Sequence, residues 1–387
     1  MYRDIDVKIT KVEPILLSSP YGKGDSLGQP LGLKTIGLIK IHTDLNIYGL
    51  GESYSAVYMP EIFAAIVKQL ESYLVGRLIG SLDLVSDIEN IPFVGRDGII
   101  RSVTSAIDIA LWDLRGKILG IPTQSLLGEN AHNSVPVYAS SGSAVFTPSE
   151  IALDVNEILN AGFNAYKMRI GYQEWSKDLE RVQVARTSLG SNDLMIDAIM
   201  GTIRPTWNKS TAVGHANELS VFQPRWLEEP LHPNDILSLS EVRRSTNIDI
   251  AAGEAYSGIS DFEFLIYSNA VDVLQFDATH SGGIEYCASL AGKAKSLGLK
   301  TAVHVWGSAV ALASNASLAL SGECDILEYP MVSLEVSSHM WVAQPVISEG
   351  RLIASDIPGL GVDLTPVTLD KYPFVAGSGY KLPARKY

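Results

Sequence analysis

Ionisable residues recur between residues 167 and 328, each near the end of a short apolar segment that is typical of a strand. From Lys167 onward, and apart from Arg169 on the same strand, consecutive members of this series are separated by about one strand–helix unit. Because the carboxyl ends of parallel strands meet at one edge of a sheet or barrel, we expect these side chains to share one rim. The series comprises Lys167, Arg169, Asp197, Glu228, Glu254, Asp277, His304 and Glu328.

Three carboxylates on consecutive predicted strands, Asp197, Glu228 and Glu254, form the first candidate centre. Carboxylates that converge on one rim repel one another unless a cation lies among them. An all-oxygen set favours a hard ion such as Mg²⁺, and ion pairs with rim lysines or arginines are the alternative. Strand alternation predicts that Glu228 faces the same side as Trp226, which leaves Glu229 facing the helices.

His304 and Asp277, on two neighbouring predicted strands, form the second candidate centre. A carboxylate bonded to one ring nitrogen fixes the tautomer and raises the basicity of the other nitrogen. We therefore interpret the pair as a general base with its orienting partner. On the last strand, Glu328 either donates a hydrogen bond in its protonated form or makes an ion pair, and both alternatives stay open. Ser140, at the end of the first strand, is a candidate to bond a substrate oxygen.

The segment AYKMRIG at 165–171 places two cations one residue apart in an otherwise apolar strand. Alternation turns both toward the barrel interior, where they face the acids, a metal ion and an anionic substrate. Lys167 is a candidate to stabilise negative charge on the substrate. Arg169 stays protonated in proteins, so it is not expected to act as a base.

The elements that must position these residues alternate between strand and helix from residue 135 onward. Eight strand–helix repeats in roughly 200 residues favour a closed (β/α) barrel over an open doubly wound sheet. No G-x-G-x-x-G sequence follows a predicted strand, which also argues against a dinucleotide-binding fold. The preceding part has the pattern of an α+β domain, with a strand, a hairpin and two helices. We predict an α+β domain over 1–132, a barrel over 133–345, and a C-terminal segment over 346–387 that packs back on the first domain.

Composition excludes several classes of partner. The chain has 387 residues, a net charge of -13 and a pI of about 5.0. It has no basic block to follow a phosphate backbone, so we expect no nucleic-acid partner. It also has no secretory signal core and no apolar run of the roughly 18 residues that span a membrane. The two cysteines, Cys287 and Cys324, match neither a disulfide framework nor a zinc site, which predicts a reducing, cytoplasmic location.

The motifs together resemble the enolase superfamily, and within it the mandelate racemase subgroup, over nearly the whole chain. YKMRIG stands where the family has a Lys-x-Lys strand. MIDA, WLEEP and AAGE resemble its three metal-ligand strands, and VLQFDATHSGGI with VHVWGSAVALA resembles its His–Asp strands. The sequences at 105–128, LEYP at 327–330 and IPGLGVDL at 357–364 resemble the entry into the barrel, its last strand and the tail.

The resemblance implies a modified TIM-type (β/α) barrel with an N-terminal α+β capping domain, commonly assembled as a homo-oligomer. It also implies Mg²⁺-assisted removal of the proton alpha to a carboxylate, which gives an enediolate. The implied metal ligands are Asp197, Glu228 and Glu254. The implied base is His304 with its partner Asp277, and Glu328 is the implied electrophilic acid.

Two departures from the family pattern narrow the reaction. Ile199 stands where the family usually has an asparagine, so a polar contact is missing. Arg169 replaces the second lysine of Lys-x-Lys, which in the family is often a base opposite the histidine. We therefore predict a one-base reaction, in which His304 takes the alpha proton and a sugar acid (aldonate or aldarate) is dehydrated to a 2-keto-3-deoxy acid. A cycloisomerase or a racemase/epimerase of a carboxylate substrate is the alternative.

Two other classes stay open on the sequence alone. A Schiff-base aldolase would use Lys167 as nucleophile with Arg169 lowering its pKa, but it has no clear role for the three acids. A non-catalytic metal- or sugar-acid-binding protein would not require the His–Asp pair. The loops at 18–30 and 52–58 are expected to select the substrate. Their candidate contacts are Tyr21, Lys23 and Tyr54.

Overall fold

The computed structural model describes residues 4–22, 28–81, 83–128 and 131–383. These residues form a three-stranded antiparallel sheet with helices, followed by a closed barrel of parallel strands. The predicted fold class is therefore confirmed. Lys23, a predicted substrate contact, lies outside the described residues. Within the described ranges, no helix is long and apolar enough to cross a membrane.

The N-terminal sheet is a meander whose second and third strands are the predicted hairpin. Its strands are β1 (Ile9–Pro20), β2 (Leu33–Thr43) and β3 (Tyr48–Glu52). Asn46, in the β2–β3 turn, has a φ of 56°, which asparagine tolerates better than most residues. The helices that follow are α1 (Pro60–Leu74), α2 (Leu84–Glu89), α3 (Gly98–Leu119) and α4 (Thr123–Leu127).

Helix α3 packs directly on strand β3. A Cβ atom on Gly51 would overlap the carbonyl oxygen of Ala106, and one on Gly49 would overlap that of Ala110. Glycine at these two positions therefore permits an approach that no side chain would allow. The contact joins β3 to the helix that carries Asp108.

The barrel contains eight parallel strands in the described residues, and β11 closes on β4 through the pairs Leu327↔Val137 and Tyr329↔Ala139. The strands are β4 (Ser134–Ser140), β5 (Ala165–Arg169), β6 (Asp193–Asp197), β7 (Leu227–Glu228), β8 (Ile250–Ala252), β9 (Val273–Phe276), β10 (Lys300–Val303) and β11 (Ile326–Pro330). The helices between them are α5 (Pro148–Asn160), α6 (Trp175–Leu189), α7 (Lys209–Leu219), α8 (Ile236–Arg244), α9 (Ile259–Tyr267), α10 (Gly283–Ser296) and α11 (Ala309–Leu320).

One layer of apolar side chains fills the barrel interior, with one residue at or beside each strand. All of its members are almost fully buried and form a cluster separate from the outer core. Because alternate residues of a strand face the same side, this layer defines which positions point inward. The layer comprises Tyr138, Ala165, Met195, Trp226, Ala251, Val273, Ala302 and Ile326.

The C-terminal part of the chain contacts both the barrel and the N-terminal sheet. Strand β13 pairs antiparallel with β4 and with β12, whereas Ser18 of β1 donates its backbone N–H to the carbonyl oxygen of Tyr372. The elements of this part are α12 (Glu335–Ser338), β12 (Ile347–Ser348), β13 (Arg351–Ile353) and α13 (Pro366–Lys371).

Two buried carboxylates of the N-terminal domain bind the N-termini of two successive barrel helices. Glu52 accepts hydrogen bonds from the backbone N–H of Ser308 (3.0 Å) and of Ala311 (3.1 Å), and from the Ser308 hydroxyl (2.6 Å), at the start of α11. Asp108 accepts from the N–H of Ile284 (2.6 Å) at the start of α10. Helix N-termini carry unpaired N–H groups and partial positive charge, so these carboxylates stabilise the interface between the domains.

We expect Glu52→Ala to lower the free energy of unfolding by about 2–4 kcal/mol, because it leaves buried donors of α11 without an acceptor. Chemical denaturation followed by circular dichroism measures this change. The matched control is Glu180→Ala on the exposed face of α6, which should shift the free energy by less than about 0.5 kcal/mol. Equal, small effects of the two substitutions would contradict the role given to Glu52.

Candidate active site

The next inward-facing position on most barrel strands is polar, and it lies directly above the apolar layer. This second layer contains five of the predicted ionisable residues and also Gln275, which the sequence analysis did not identify. Strand alternation could have revealed Gln275, since it lies two residues before Asp277. On β8 the position is Gly253, where a Cβ atom would overlap the carbonyl oxygen of Gln275. The side chains of this layer are Ser140, Lys167, Asp197, Glu228, Gln275, His304 and Glu328.

His304 and Asp277 lie in direct contact at the ends of β10 and β9. Nδ1 of His304 is 2.9 Å from Oδ2 of Asp277. The other oxygen of Asp277 accepts bonds from the N–H and hydroxyl of Thr279 and from the Asn315 amide, each at 2.8 Å. Because the Asp277 carboxylate can only accept a hydrogen bond, the ring hydrogen of His304 lies on Nδ1. This leaves Nε2 facing Oε2 of Glu254 at 3.2 Å.

The pKa values of this pair move in opposite directions. Burial by itself would lower the pKa of His304, but Glu254, Glu328 and the bond to Asp277 raise it to about 9. Burial by itself would raise the pKa of Asp277, but the hydrogen bonds from His304 and Asn315 lower it. Without a cation among these carboxylates the imidazole is therefore favoured in its protonated form, and a dication bound by the acids would favour the neutral form that can accept a proton.

The three predicted metal-binding acids lie on β6, β7 and just after β8. Burial and the neighbouring Glu228 and Glu254 raise the pKa of Asp197 to about 8, and burial also raises the pKa of Glu254. Buried carboxylates that repel one another are stabilised by a dication, and oxygen donors suit Mg²⁺. Within the described ranges, no three such side chains are already arranged around a metal position. The donor chemistry and the charge fit the ion.

Lys167 lies beneath the pocket and is paired with two carboxylates. Its Nζ donates to Oε1 of Glu228 (2.6 Å) and lies 3.0 Å from Oε1 of Glu328. Oε2 of Glu228 accepts bonds from Trp226 Nε1 (3.0 Å) and Gln275 Nε2 (2.7 Å). A cation at this centre would therefore compete with Lys167 for Glu228. Burial would lower the pKa of Lys167, but the two carboxylates raise it well above its usual value.

Glu328 does not have the environment expected of a proton donor. Its Oε2 accepts bonds from the N–H of Val305 (3.2 Å) and the hydroxyl of Tyr138 (3.3 Å). Although burial raises its pKa, Lys167, His304 and Arg169 lower it to about 2. This environment favours Glu328 as an ionised acceptor, as in the ion-pair alternative, and the role of electrophilic acid stays a prediction.

Arg169 lies on the pocket wall, and its guanidinium is held in place by the end of β4. Its Nη1 donates to the carbonyl oxygen of Ser141 (2.8 Å) and its Nη2 to Oγ of Ser140 (3.1 Å). Burial lowers its pKa, but Asp197 and Glu328 raise it above its usual value, so the group stays charged. Ser140 was expected to bond a substrate oxygen. It is buried and accepts the bond from Arg169, and its contact with a substrate stays a prediction.

Glu229 also differs from the prediction that it faces the helices. It follows β7 with a φ of 42° and is almost fully buried. Its Oε2 would lie 2.7 Å from a Cβ atom on Gly201, and its charge interacts with Glu254 and Asp197. The left-handed backbone therefore brings a fourth carboxylate close to the predicted metal-binding acids.

A cavity of about 110 Å³ opens above these groups, between the barrel rim, the N-terminal domain and the C-terminal tail. Sequence reasoning missed the aromatic side of this cavity, formed by Tyr58, Trp306 and Tyr380. Trp306 Nε1 donates to the Tyr21 hydroxyl at 2.8 Å, which joins this side to a predicted contact. The predicted residues that line the cavity are Tyr21, Tyr54, Arg169, Asp197, Glu254 and His304.

The barrel and its rim define an enolase-type protein, with acids at three successive strands and an Asp–His pair on the next two. Residues 150–367 match the model described as enolase C-terminal domain-like. Residues 30–128 match the mandelate racemase / muconate lactonizing enzyme N-terminal domain. The chain belongs to the mandelate racemase / muconate lactonizing enzyme family of the enolase superfamily.

Relatives of the chain include dehydratases and cycloisomerases. It is 30% identical over 342 residues to L-talarate/galactarate dehydratase of Salmonella typhimurium, covering 87% of this chain and 82% of the relative. It is 27% identical over 340 residues to 3,6-anhydro-alpha-L-galactonate cycloisomerase of Streptomyces coelicolor, covering 84% and 88%. The crystal structure of the Salmonella dehydratase liganded with Mg and L-lyxarohydroxamate has a TM-score of 0.85 at 27% identity, covering 95% and 93%.

We expect Asp277→Asn to lower kcat by about 10²–10⁴-fold with little change in KM, because the amide no longer fixes the tautomer of His304. Steady-state kinetics on a turned-over substrate measures both constants. The matched control is Asp193→Asn, at the exposed opposite end of β6, which should leave both unchanged. A kcat within about threefold of the wild type would contradict the pairing.

Proposed function

We propose that the protein is a Mg²⁺-dependent sugar-acid dehydratase, a hydro-lyase that converts an aldonate or aldarate into a 2-keto-3-deoxy acid. The observation that carries this proposal is that His304 and Arg169 line different sides of the same pocket. His304, backed by Asp277, directs Nε2 into the pocket from β10. Arg169 lies on β5, three strands away around the barrel. One side of the pocket thus has a base, and the other has a permanent cation.

Each residue has a distinct part in this reaction. His304 Nε2 accepts the alpha proton, and the electron pair of the C–H bond moves into the substrate carboxylate to form an enediolate. That pair then expels the β-hydroxyl, which takes the proton from the imidazolium and leaves as water, and the enol product tautomerises to the keto acid. Bound by Asp197, Glu228 and Glu254, Mg²⁺ would supply positive charge to the enediolate. Arg169 binds the anionic substrate from the wall.

The nature of Arg169 favours elimination over racemisation. A two-base racemase needs a group on each face of the substrate that can release and accept a proton. The guanidinium remains protonated, and its Nη atoms are already bonded to Ser140 and Ser141. A Schiff-base aldolase is also disfavoured, because Lys167 is charged and paired with two carboxylates instead of neutral and exposed. The Asp277–His304 pair argues against a purely binding role.

A cycloisomerase is the second candidate, and the aromatic side of the pocket favours it. Tyr54, Tyr58 and Trp306 lie within ring-contact distance of one another. Aromatic faces pack well on the C–H face of a cyclic sugar, and ring opening by β-elimination also needs only one base. The two candidates therefore share the proton abstraction and differ in the group that leaves.

Three further sequence predictions remain proposals. They concern the absence of a nucleic-acid partner, the cytoplasmic location and the homo-oligomeric assembly. The dimensions of the pocket suit a small-molecule carboxylate as the partner that the rim binds.

We expect that a library of aldonic and aldaric acids, incubated with the protein and Mg²⁺, contains a substrate that yields a 2-keto-3-deoxy acid, as detected by proton NMR. Removal of the metal with EDTA should abolish turnover, and added Mg²⁺ should restore it. An isomeric product without loss of water, from lactones or anhydro acids in the same library, would identify the cycloisomerase. Deuterium uptake into unconsumed substrate without a keto product would contradict dehydration.

We expect Arg169→Lys to create alpha-proton exchange on the face opposite His304, because an amine can lose its proton where a guanidinium does not. The exchange is isolated in the double variant Arg169→Lys/His304→Asn, which lacks the original base. Deuterium incorporation from D₂O, measured by NMR, reports it. The matched control is Arg169→Gln/His304→Asn, which has no base at either position. Equal exchange rates in the two double variants would count against the assignment of Arg169 to the opposite face.

A further inference from the structure

The C-terminal tail contributes to the wall of the active-site pocket, although it is far in sequence from the barrel. Beyond α13 the chain returns to the rim, and Tyr380 and Pro383 line the same cavity as His304, Arg169 and Asp197. We propose that Tyr380 is a specificity-determining residue, whose hydroxyl donates a hydrogen bond to the terminal hydroxyl of the sugar acid, remote from the reacting carboxylate. This inference rests on the proposed dehydratase function.

Backbone hydrogen bonds fix the position of Tyr380 from two directions. Its N–H donates to the carbonyl oxygen of Val57 at 2.8 Å, and the N–H of Lys381 donates to the carbonyl oxygen of Gly28 at 2.8 Å. Both acceptors belong to the N-terminal domain, in the two segments where the sequence predicts substrate selection. The tail therefore bridges these two segments at the edge of the pocket.

Ring packing fixes the side chain as well as the backbone. The Tyr380 ring makes edge contacts with Tyr58 (centroids 5.2 Å apart) and with Trp306 (5.7 Å). Gly28 has a φ of 75°, and a Cβ atom there would overlap the Tyr380 ring. The absence of a side chain at Gly28 is thus what makes room for the ring.

The hydroxyl of Tyr380 has the properties of a neutral donor at the pocket wall. Burial raises the pKa of the phenol to about 12, and Thr202, another lining residue, acts in the opposite direction. The phenol therefore keeps its proton at physiological pH. The charges of Arg169 and Glu254 act on this phenol from the rim, with Arg169 lowering and Glu254 raising its pKa, so Tyr380 lies at the border between the charged rim and the aromatic side of the pocket.

The chemistry of the surroundings identifies the kind of group that Tyr380 would contact. The base and the predicted metal-binding acids lie at the barrel rim, so the reacting carboxylate and alpha carbon must lie there. On the side of Tyr380, the wall offers aromatic rings and the hydroxyl of Thr202. Such a surface matches alternating C–H and O–H groups of a sugar chain, and one donor there discriminates a hydroxyl from a methyl group.

The test compares two aldonates that differ only in the terminal hydroxyl, D-galactonate and its 6-deoxy analogue D-fuconate, or an equivalent pair from the substrate screen. We expect Tyr380→Phe to raise KM about tenfold for the hydroxylated acid, with kcat within about twofold, since one hydrogen bond contributes up to about that factor. For the deoxy acid, the same variant should leave KM unchanged. Gly28→Ala should reproduce the KM increase, because its side chain displaces the ring.

The matched control is Tyr73→Phe on the partly exposed face of α1, which should change neither constant for either acid. An equal KM change for both acids, no change for either, or a loss confined to kcat would each overturn the assignment of Tyr380. Wild-type turnover separates this proposal from the one it rests on. If the wild type dehydrates no sugar acid, the dehydratase proposal fails and the role of Tyr380 falls with it. If it does, the ratio between variant and wild type decides the role of Tyr380 alone.

Discussion

Repulsion among buried carboxylates is the constraint that organises this barrel rim. Glu228 and Glu328 share the charge of Lys167, and Asp277 is paired with His304. The acids that remain poorly neutralised are Asp197 and Glu254 on the pocket wall and the nearby Glu229, and burial with mutual repulsion raises the pKa of each. The uncompensated charge therefore faces the cavity. A cation bound from solution would neutralise this charge, whereas a fixed lysine there would occupy the space that the proposed substrate needs.

The charged rim must be covered to exclude water, and the Asp277–His304 pair must be held in position. The N-terminal domain meets both requirements. Asp108 and Glu52 bind the N-termini of α10 and α11, the helices that follow the strands of Asp277 and His304. Buried Lys34 of β2 donates to the carbonyl oxygen of Trp306 at 2.9 Å, and its ammonium lies 3.4 Å from the Trp306 ring. Three contacts from one domain thus fix the chain on both sides of His304. Since Tyr54 follows Glu52 by two residues, the position of the base and the shape of the pocket are mechanically linked.

Much of the rim could be predicted from the sequence, because strand alternation is a local rule. It places Lys167, Asp197 and Glu228 on one face without any knowledge of their partners. Alternation could not predict features that depend on contacts between distant segments. Ser140 bonds Arg169, and Glu328 is ionised because Lys167, His304 and Arg169 surround it, which no property of the segment LEYP could indicate. Glu229 does not follow the alternation of strand side chains, because its backbone adopts a left-handed conformation immediately after a short strand. The aromatic wall could not be predicted for a similar reason. The Tyr380 ring packs against Gly28, which is distant in the sequence, and neither residue is unusual within its own segment.

The two ends of the pocket are therefore built by different physical means. The reacting end is fixed by charge, in a network where removal of one member leaves another buried ion without its partner, so its composition tolerates little change. The aromatic end is fixed by ring packing of Tyr54, Tyr58 and Tyr380, where a substitution costs one contact and leaves the charge balance intact. Chemistry and substrate choice can then change independently in such a barrel. The permanent cation at Arg169 belongs to the reacting end. In the proposed reaction it leaves His304 as the one base, whatever substrate the aromatic end selects. The identity of residue 169 therefore bears on the type of reaction more directly than any feature of the aromatic wall.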